Sequence, residues 1–280
     1  MNDELFRESD PFSPITYTYK INSVLYSGKS PYQEIQVLDS PEFGRILVLD
    51  GVVQLTERDE FFYHEMLAHV ALYAHLRPEN VLIIGGGDGG TLREVIKHEA
   101  VKNVQLVELD KEVIEISKRY FPSLSLGFSD ERVQVKDMDG SRFVRDTGEK
   151  YDVVIIDSTD PVGSARNLFS QQFFNDVFSI LNEDGILVIQ TESLHFHRQF
   201  VKEVQQRLGK LFKIVGLYTV PLATYAGNWW TFSIASRKYI TDMPNRKITV
   251  STKYYDEQVH RNAFLPDTVY KKLMSGTLDW

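Results

Sequence analysis

The chain has 280 residues, with 31 Lys and Arg against 39 Asp and Glu, a formal net charge of −8 and no cysteine. This length and a hydrophobic share of 42% allow a sizeable core in one or two domains and exclude general disorder. The missing cysteine excludes a disulfide scaffold, a Cys-ligated metal and a thiol nucleophile, and the acidic balance argues against a grip on nucleic acid.

The first fourteen residues, MNDELFRESDPFSP, are polar and acidic and contain no apolar signal core. No apolar run reaches the roughly 18 residues of a membrane span. A cytoplasmic protein with no membrane partner is therefore expected. Alternating aromatic and β-branched stretches follow at 17–21 and 34–38, and 45–55 reads as a hairpin around Asp50-Gly51. These predict a small antiparallel β domain over residues 1–58. A helix is expected from about Asp59 to Leu76.

The spacing then changes. Short, nearly continuous apolar runs at 81–84, 104–107, 133–135, 153–156 and 186–190 read as strands. The stretches 91–98, 111–120, about 170–181 and about 196–208 read as helices. Further strands are expected at 214–220 and 230–235, then loops and a final helix over 253–273. Strands buried on both faces and alternating with helices predict an α/β fold over residues 59–280, with a Rossmann-like, doubly wound, mostly parallel sheet.

The most informative motif joins the strand Val81-Leu82-Ile83-Ile84 to Gly85-Gly86-Gly87-Asp88-Gly89-Gly90. Glycines permit a sharp turn and close approach of a ligand. About 20 residues on, Glu108 ends the next strand, where an acid can accept hydrogen bonds from ribose hydroxyls. This layout fits a nucleoside and leaves NAD and S-adenosyl compounds open. Asp88 favours the latter, because a carboxylate in the loop repels a pyrophosphate and tolerates a sulfonium or an ammonium.

Asp157-Ser158-Thr159-Asp160-Pro161 follows the strand at 153–156, so Asp157 and Asp160 fall at a strand end facing the Asp88 loop. Carboxylates converging there suit a metal ion or an organic cation. Tyr63 and His64, within 57–66, carry polar tips, although alone this segment reads as the start of an amphipathic helix. Tyr225, shortly before Trp229-Trp230, could wall a cation site with its π face or simply pack. The histidines show no zinc-ligand spacing, so no metal site is expected.

Together these residues resemble the polyamine aminopropyltransferases, the family of the spermidine synthases. The likeness covers nearly the whole chain: Tyr32-Gln33-Glu34-Ile35, Leu49-Asp50-Gly51, 57–66, 85–90, Asp139-Gly140, 157–161, Thr224-Tyr225 and Lys253-Tyr254-Tyr255. It implies a small N-terminal β domain, a Rossmann-like domain of the class I methyltransferase type, and a homodimer or homotetramer. It implies decarboxylated S-adenosylmethionine as aminopropyl donor, a co-substrate with no further cofactor, and putrescine or a similar polyamine as acceptor.

By position, the resemblance makes Asp157 the general base and places Tyr63 in the lining of the amine site, where its hydroxyl is expected to help orient the attacking nitrogen. Asp88, His64, Asp160 and Tyr225 would contact the amine chains, and Gln33 the donor's sulfur or aminopropyl region. Glu108 would hold the ribose, Asp139 and Gly140 the adenine, and Gly85 and Ser164 would lie on the donor side. Ser164 departs from the family, which usually has Pro after Asp160-Pro161-Val162-Gly163, so altered loop mobility is expected. A methyltransferase on the same fold and a non-catalytic polyamine or nucleoside sensor are the competing readings.

Overall fold

The computed structural model describes residues 4–9, 14–160 and 163–278, without the side chains of Gly163 and Ser164. Strands β1 (Glu4–Ser9) and β2 (Thr16–Ile21) pair antiparallel. β3 (Ser23–Lys29), β4 (Glu34–Ser40), β5 (Gly44–Leu49) and β6 (Val52–Thr56) form a four-stranded antiparallel sheet in chain order. Asp50 and Gly51 turn the chain between β5 and β6 with φ of 48° and 82°. Two positive φ values give the turn whose twist suits a hairpin.

A seven-stranded sheet follows, built from β7 (Asn80–Gly85), β8 (Asn103–Glu108), β9 (Val133–Asp137), β10 (Tyr151–Asp157), β11 (Leu181–Ser193), β12 (Ile214–Pro221) and β13 (Trp229–Ser236). Its order is β12-β13-β11-β10-β7-β8-β9, parallel from β11 to β9 and antiparallel at β13. The helices are α1 (Glu60–Ala74), α2 (Gly90–Ile96), α3 (Lys111–Tyr120), α4 (Gly140–Asp146), α5 (Gln171–Ile180), α6 (Arg198–Gly209), α7 (Glu257–Ala263) and α8 (Asp267–Ser275). The order reverses between β7 and β10, which opens a crevice at their C-terminal ends.

Every residue of β10 is buried. Val153 and Ile155 point into one core with Met66, Val70 and Tyr73 of α1, while Val154 and Ile156 point into a second with Phe173, Phe174 and Val177 of α5. Each such side chain stabilises the sheet by about 1.5–3 kcal/mol. The small sheet docks by the same alternation: Ile35, Val37, Leu47 and Leu49 pack on Val113 and Ile116 of α3, and Leu38, Ile46 and Val48 pack with Tyr19 and Ile21 of β2.

Three elements differ from the sequence reading. α1 is not amphipathic, since thirteen of its fifteen residues are buried. The sheet covers one side, α2 another, and the segment after β13 wraps the rest. In that wrap the Glu65 carboxylate accepts the N–H groups of Lys253, Tyr254 and Tyr255 at 2.7, 2.8 and 2.8 Å. α4 is a short helix that carries only a cap signal, Asp139, whose carboxylate accepts from Arg142 N at 2.7 Å. The tail holds two helices, α7 and α8, rather than one. Among the described residues no helix is long and apolar enough to cross a membrane.

Candidate active site

A cavity of about 270 Å³ lies beyond the C-terminal ends of β7, β8, β9 and β10, and Leu49 and Gln54 of the small sheet, with Gln33 just before β4, also line it. Gly85 sits where β7 meets β10. Its φ is 83°, and a β carbon there would fall 2.0 Å from the Asp157 carbonyl oxygen. The next residue, Gly86, donates its N–H to that same oxygen at 2.9 Å. Glycine thus lets the loop bend back across the crevice, with Asp88 beyond it.

Glu108, at the end of β8, accepts from Gly87 N at 3.1 Å and Asp110 N at 2.9 Å. Burial pushes its carboxyl up to about 7, against the pull of these N–H groups. Gln33 reaches the same edge, donating from Nε2 to Asp110 Oδ2 at 2.8 Å. Asp139 and Gly140 line the cavity after β9, and the Asp139 carboxylate also accepts from Ser141 Oγ.

At the mouth of the crevice stand Asp157, Tyr63, His64 and Asp88. Tyr63 donates its hydroxyl to Asp157 Oδ1 at 2.8 Å, and Thr91 donates to Oδ2 at 2.7 Å. Burial and the Asp88 charge raise Asp157 to about 6, while His64, Thr91 and Tyr63 pull the other way. Burial and Asp157 keep Tyr63 a neutral phenol.

His64 Nδ1 lies 2.7 Å from Glu60 Oε2 and its Nε2 3.3 Å from Asp88 Oδ1. With a carboxylate at each nitrogen, both nitrogens must donate, so the ring is an imidazolium. Burial opposes that charge, yet Asp88 and Glu60 push His64 up to about 10. Burial also opposes the Asp88 charge, and His64 with the Gly90 N–H holds Asp88 below the usual carboxylate range. Arg93 fixes Glu60 through two contacts of 3.0 and 2.8 Å. His64, Asp88 and Asp157 bring ligand-type atoms within 4.8 Å of one another. A protonated ring offers no lone pair to a metal, so the trio reads as an ion-pair network.

A smaller pocket of about 60 Å³ adjoins the cavity and shares Gln54, Tyr63, Ser158, Thr159 and Tyr225 with it. Asp160 lines this second pocket, together with Glu8, Gln190, Glu192, His197 and Trp230. The β11–β13 register shifts between Gln190 and Ser193, and Glu192 there has φ of 70°. Such a bulge redirects a side chain. Thr231 holds it by donating to the carbonyls of Thr191 and Glu192 at 3.0 and 2.8 Å. Aromatic faces surround the pocket: Tyr225 lies 4.6 Å from Trp230 and 5.9 Å from Tyr63, centroid to centroid.

Most of the residues singled out in the sequence therefore line one of two adjoining spaces. Asp160 stands in the smaller one, apart from the Asp88 and Asp157 pair. His64 spends both nitrogens on carboxylates. Pro161, Val162 and the side chain of Ser164 lie outside the described residues, and the expectation for loop mobility falls there. The sequence reading missed Thr91, Glu60, Arg93, Gln190, Glu192 and Trp230 as site residues. Only the aromatic pair at 229–230 gave any local signal.

The family model of the spermine/spermidine synthase domain matches residues 60–245, and that of the spermidine synthase tetramerisation domain matches residues 5–57. A polyamine aminopropyltransferase 1 of Aquifex aeolicus is 57% identical over 99% of both chains. A polyamine aminopropyltransferase of Methanocaldococcus jannaschii is 44% identical over 90% of this chain and 88% of its own. A spermidine synthase solved with the transition-state analogue AdoDATO superposes with a TM-score of 0.91 at 36% identity, over 98% of this chain and 96% of that one. The spermidine synthase of Thermotoga maritima superposes with a TM-score of 0.90 at the same identity, over 98% and 95%. Two family models that between them run from residue 5 to 245, with relatives alike along nearly their full length, place the chain in the spermine/spermidine synthase family.

Proposed function

We propose that the protein is an aminopropyltransferase that moves the aminopropyl group of decarboxylated S-adenosylmethionine to putrescine, giving spermidine and methylthioadenosine. The observation that carries this reading is the position of Asp157. Its carboxylate, held by two hydroxyls, lines a nucleoside-sized cavity, and one of those hydroxyls belongs to Tyr63, which also lines the adjoining narrow pocket of acids and aromatic rings. In this reading Glu108 accepts from the ribose hydroxyls. Asp139 and Gly140 border the adenine, and Gln33 the sulfur side. Asp88 binds the ammonium of the donor's aminopropyl arm.

The acceptor enters through the smaller pocket as a dication. Asp160 and Glu192 attract its far ammonium, and the rings of Tyr225 and Trp230 offer π faces to its charge. The near ammonium has no lone pair at neutral pH, since an unperturbed amine titrates near 10. Asp157, with its carboxyl raised to about 6, is ionised at pH 7 and a stronger base than an ordinary carboxylate, so it can accept that proton in an uphill transfer that the attack then draws forward. The freed nitrogen attacks the carbon next to sulfur, the C–S bond breaks, and neutral methylthioadenosine leaves with the sulfur electron pair. Holding nitrogen, carbon and sulfur in line supplies up to about 7–11 kcal/mol of the barrier reduction.

The purified protein, given labelled donor with putrescine, cadaverine, agmatine and spermidine in turn, tests this reading. Methylthioadenosine release, fastest with putrescine, is the expected result. S-adenosylhomocysteine release from S-adenosylmethionine would mean a methyltransferase, and binding without turnover a sensor. A homotetramer or homodimer built through the N-terminal β domain goes with the proposal, supported by the match to residues 5–57 and by exposed Leu5 on β1 and Val24 and Leu25 on β3. The absence of cysteine accords with work in the reducing cytoplasm.

A further inference from the structure

Asp157 is the group on which the proposed chemistry turns, and its surroundings contain one residue that neither the motif nor the chemistry called for. Thr91 lies on the first turn of α2, is fully buried, and places Oγ1 2.7 Å from Asp157 Oδ2. An ionised carboxylate only accepts, so the threonine hydroxyl must donate. Tyr63 occupies the other oxygen at 2.8 Å, so the two hydroxyls arrive from different helices and fix the carboxylate plane. The resemblance puts the tyrosine in the amine site; it assigns nothing to the threonine.

We propose that Thr91 is a positioning residue for the transfer reaction, its hydroxyl holding Asp157 in place and keeping it ionised at neutral pH. The proposal rests on the reading of Asp157 as the base. The groups that face Asp157 are Tyr63 and His64 from α1, Thr91 from α2, Asp88 from the glycine loop and Tyr225 from the segment between β12 and β13. Burial and Asp88 favour the protonated acid, and His64, Thr91 and Tyr63 favour the anion. Thr91 is the only one of the three that can be replaced by an isostere without removing a group assigned to substrate. A hydrogen bond made to the charged form alone stabilises that form, so its loss moves the carboxyl upward.

The sign follows directly. Without the hydroxyl, Asp157 takes a proton at higher pH, and a larger share of the enzyme at pH 6–7 lacks a base. Once ionised, the base is at least as strong as before, so the rate on the alkaline plateau survives. A side chain that merely fills space would behave otherwise, lowering the rate equally at every pH.

The test is the pH profile of kcat/KM for putrescine, with donor saturating, for the wild type, Thr91→Val and Thr91→Ser. Valine keeps the shape and removes the hydroxyl; serine keeps the hydroxyl and removes the methyl. The wild-type profile should fall below a midpoint near 6. In Thr91→Val the midpoint should rise by about one pH unit, with the plateau within about threefold, as expected for one hydrogen bond to an ion. Thr91→Ser should keep the wild-type midpoint. An unmoved midpoint in Thr91→Val, or a shift of the same size in Thr91→Ser, would overturn the proposal. Should Thr91→Val fail to fold, Thr91→Ala removes the same hydroxyl and carries the same expectation. If the wild type releases no methylthioadenosine at any pH, it is the functional reading that fails. Carbon-13 NMR titration of the Asp157 carboxyl in the substrate-free protein then reads the same shift between wild type and variant without turnover.

Discussion

The proposed donor cavity draws its polar groups from the ends of four neighbouring parallel strands, with Asp88 beyond β7, Glu108 on β8, Asp139 beyond β9 and Asp157 on β10. The proposed acceptor pocket draws its groups from segments as distant as Glu8 on β1, Gln54 on β6, Glu192 on β11 and Trp230 on β13. In the first, the backbone does the placing: parallel strands end at one edge, and whatever follows each strand faces the same crevice. In the second, side chains converge only because β13 returns antiparallel beside β11, a bulge turns Glu192, and the N-terminal strands reach across. The regular half suits a large, invariant nucleoside. The assembled half can change depth through a few side chains, which is what a choice among amines of different length requires.

Substitutions can break this division or sharpen it. The largest effect belongs at the proposed base: Asp157→Asn should cut kcat at least about 100-fold while donor affinity, measured by calorimetry, changes little. A near-wild-type kcat would remove Asp157 from the base role. On the donor side, Glu108→Gln should weaken donor binding by about tenfold and leave kcat at saturation close to wild type. Burial sets the Glu108 carboxyl near 7, so wild-type donor affinity should fall as pH drops through 7, and the Gln variant should lose that dependence. An effect on kcat alone would contradict the ribose assignment. The smallest effect is expected on the acceptor side. Trp230 Nε1 is buried without a hydrogen-bond partner, so Trp230→Phe loses little beyond π strength, raising the KM for putrescine about threefold with donor affinity unchanged. A loss of donor affinity there would mean that the two halves are not separate.

The same contrast explains what could be read from the chain. Val81 to Gly90 announces a strand, a turn and a helix in ten consecutive residues, and Glu108 and Asp157 each close an apolar run, so the parallel sheet and its crevice are visible in local pattern. α1 carries no such pattern, because burial on all sides erases the polar stripe that marks a surface helix. α4 is too short to establish a period and begins on glycine. Glu192 could not be found at all, since its place depends on a shift in pairing that no single strand encodes. Thr91 was hidden for another reason: it directly follows the recognised glycine motif, but only the approach of β10 shows where its hydroxyl points.

The clasp of Glu65 on residues 253–255 joins positions 188 to 190 apart in the chain. A chain leaving the ribosome from its N-terminus exposes α1, with Tyr63 and His64 upon it, long before those N–H groups exist. Until they arrive, the Glu65 carboxylate must stay in water, because a buried one without donors costs about 1–3 kcal/mol or more. The helix that carries the reactive groups therefore settles only after residues 253–255 have been made. Nascent or prematurely terminated chains that lack residues 253–255 leave this helix unsecured, so a distant segment acts as a check on the helix that bears the reactive groups.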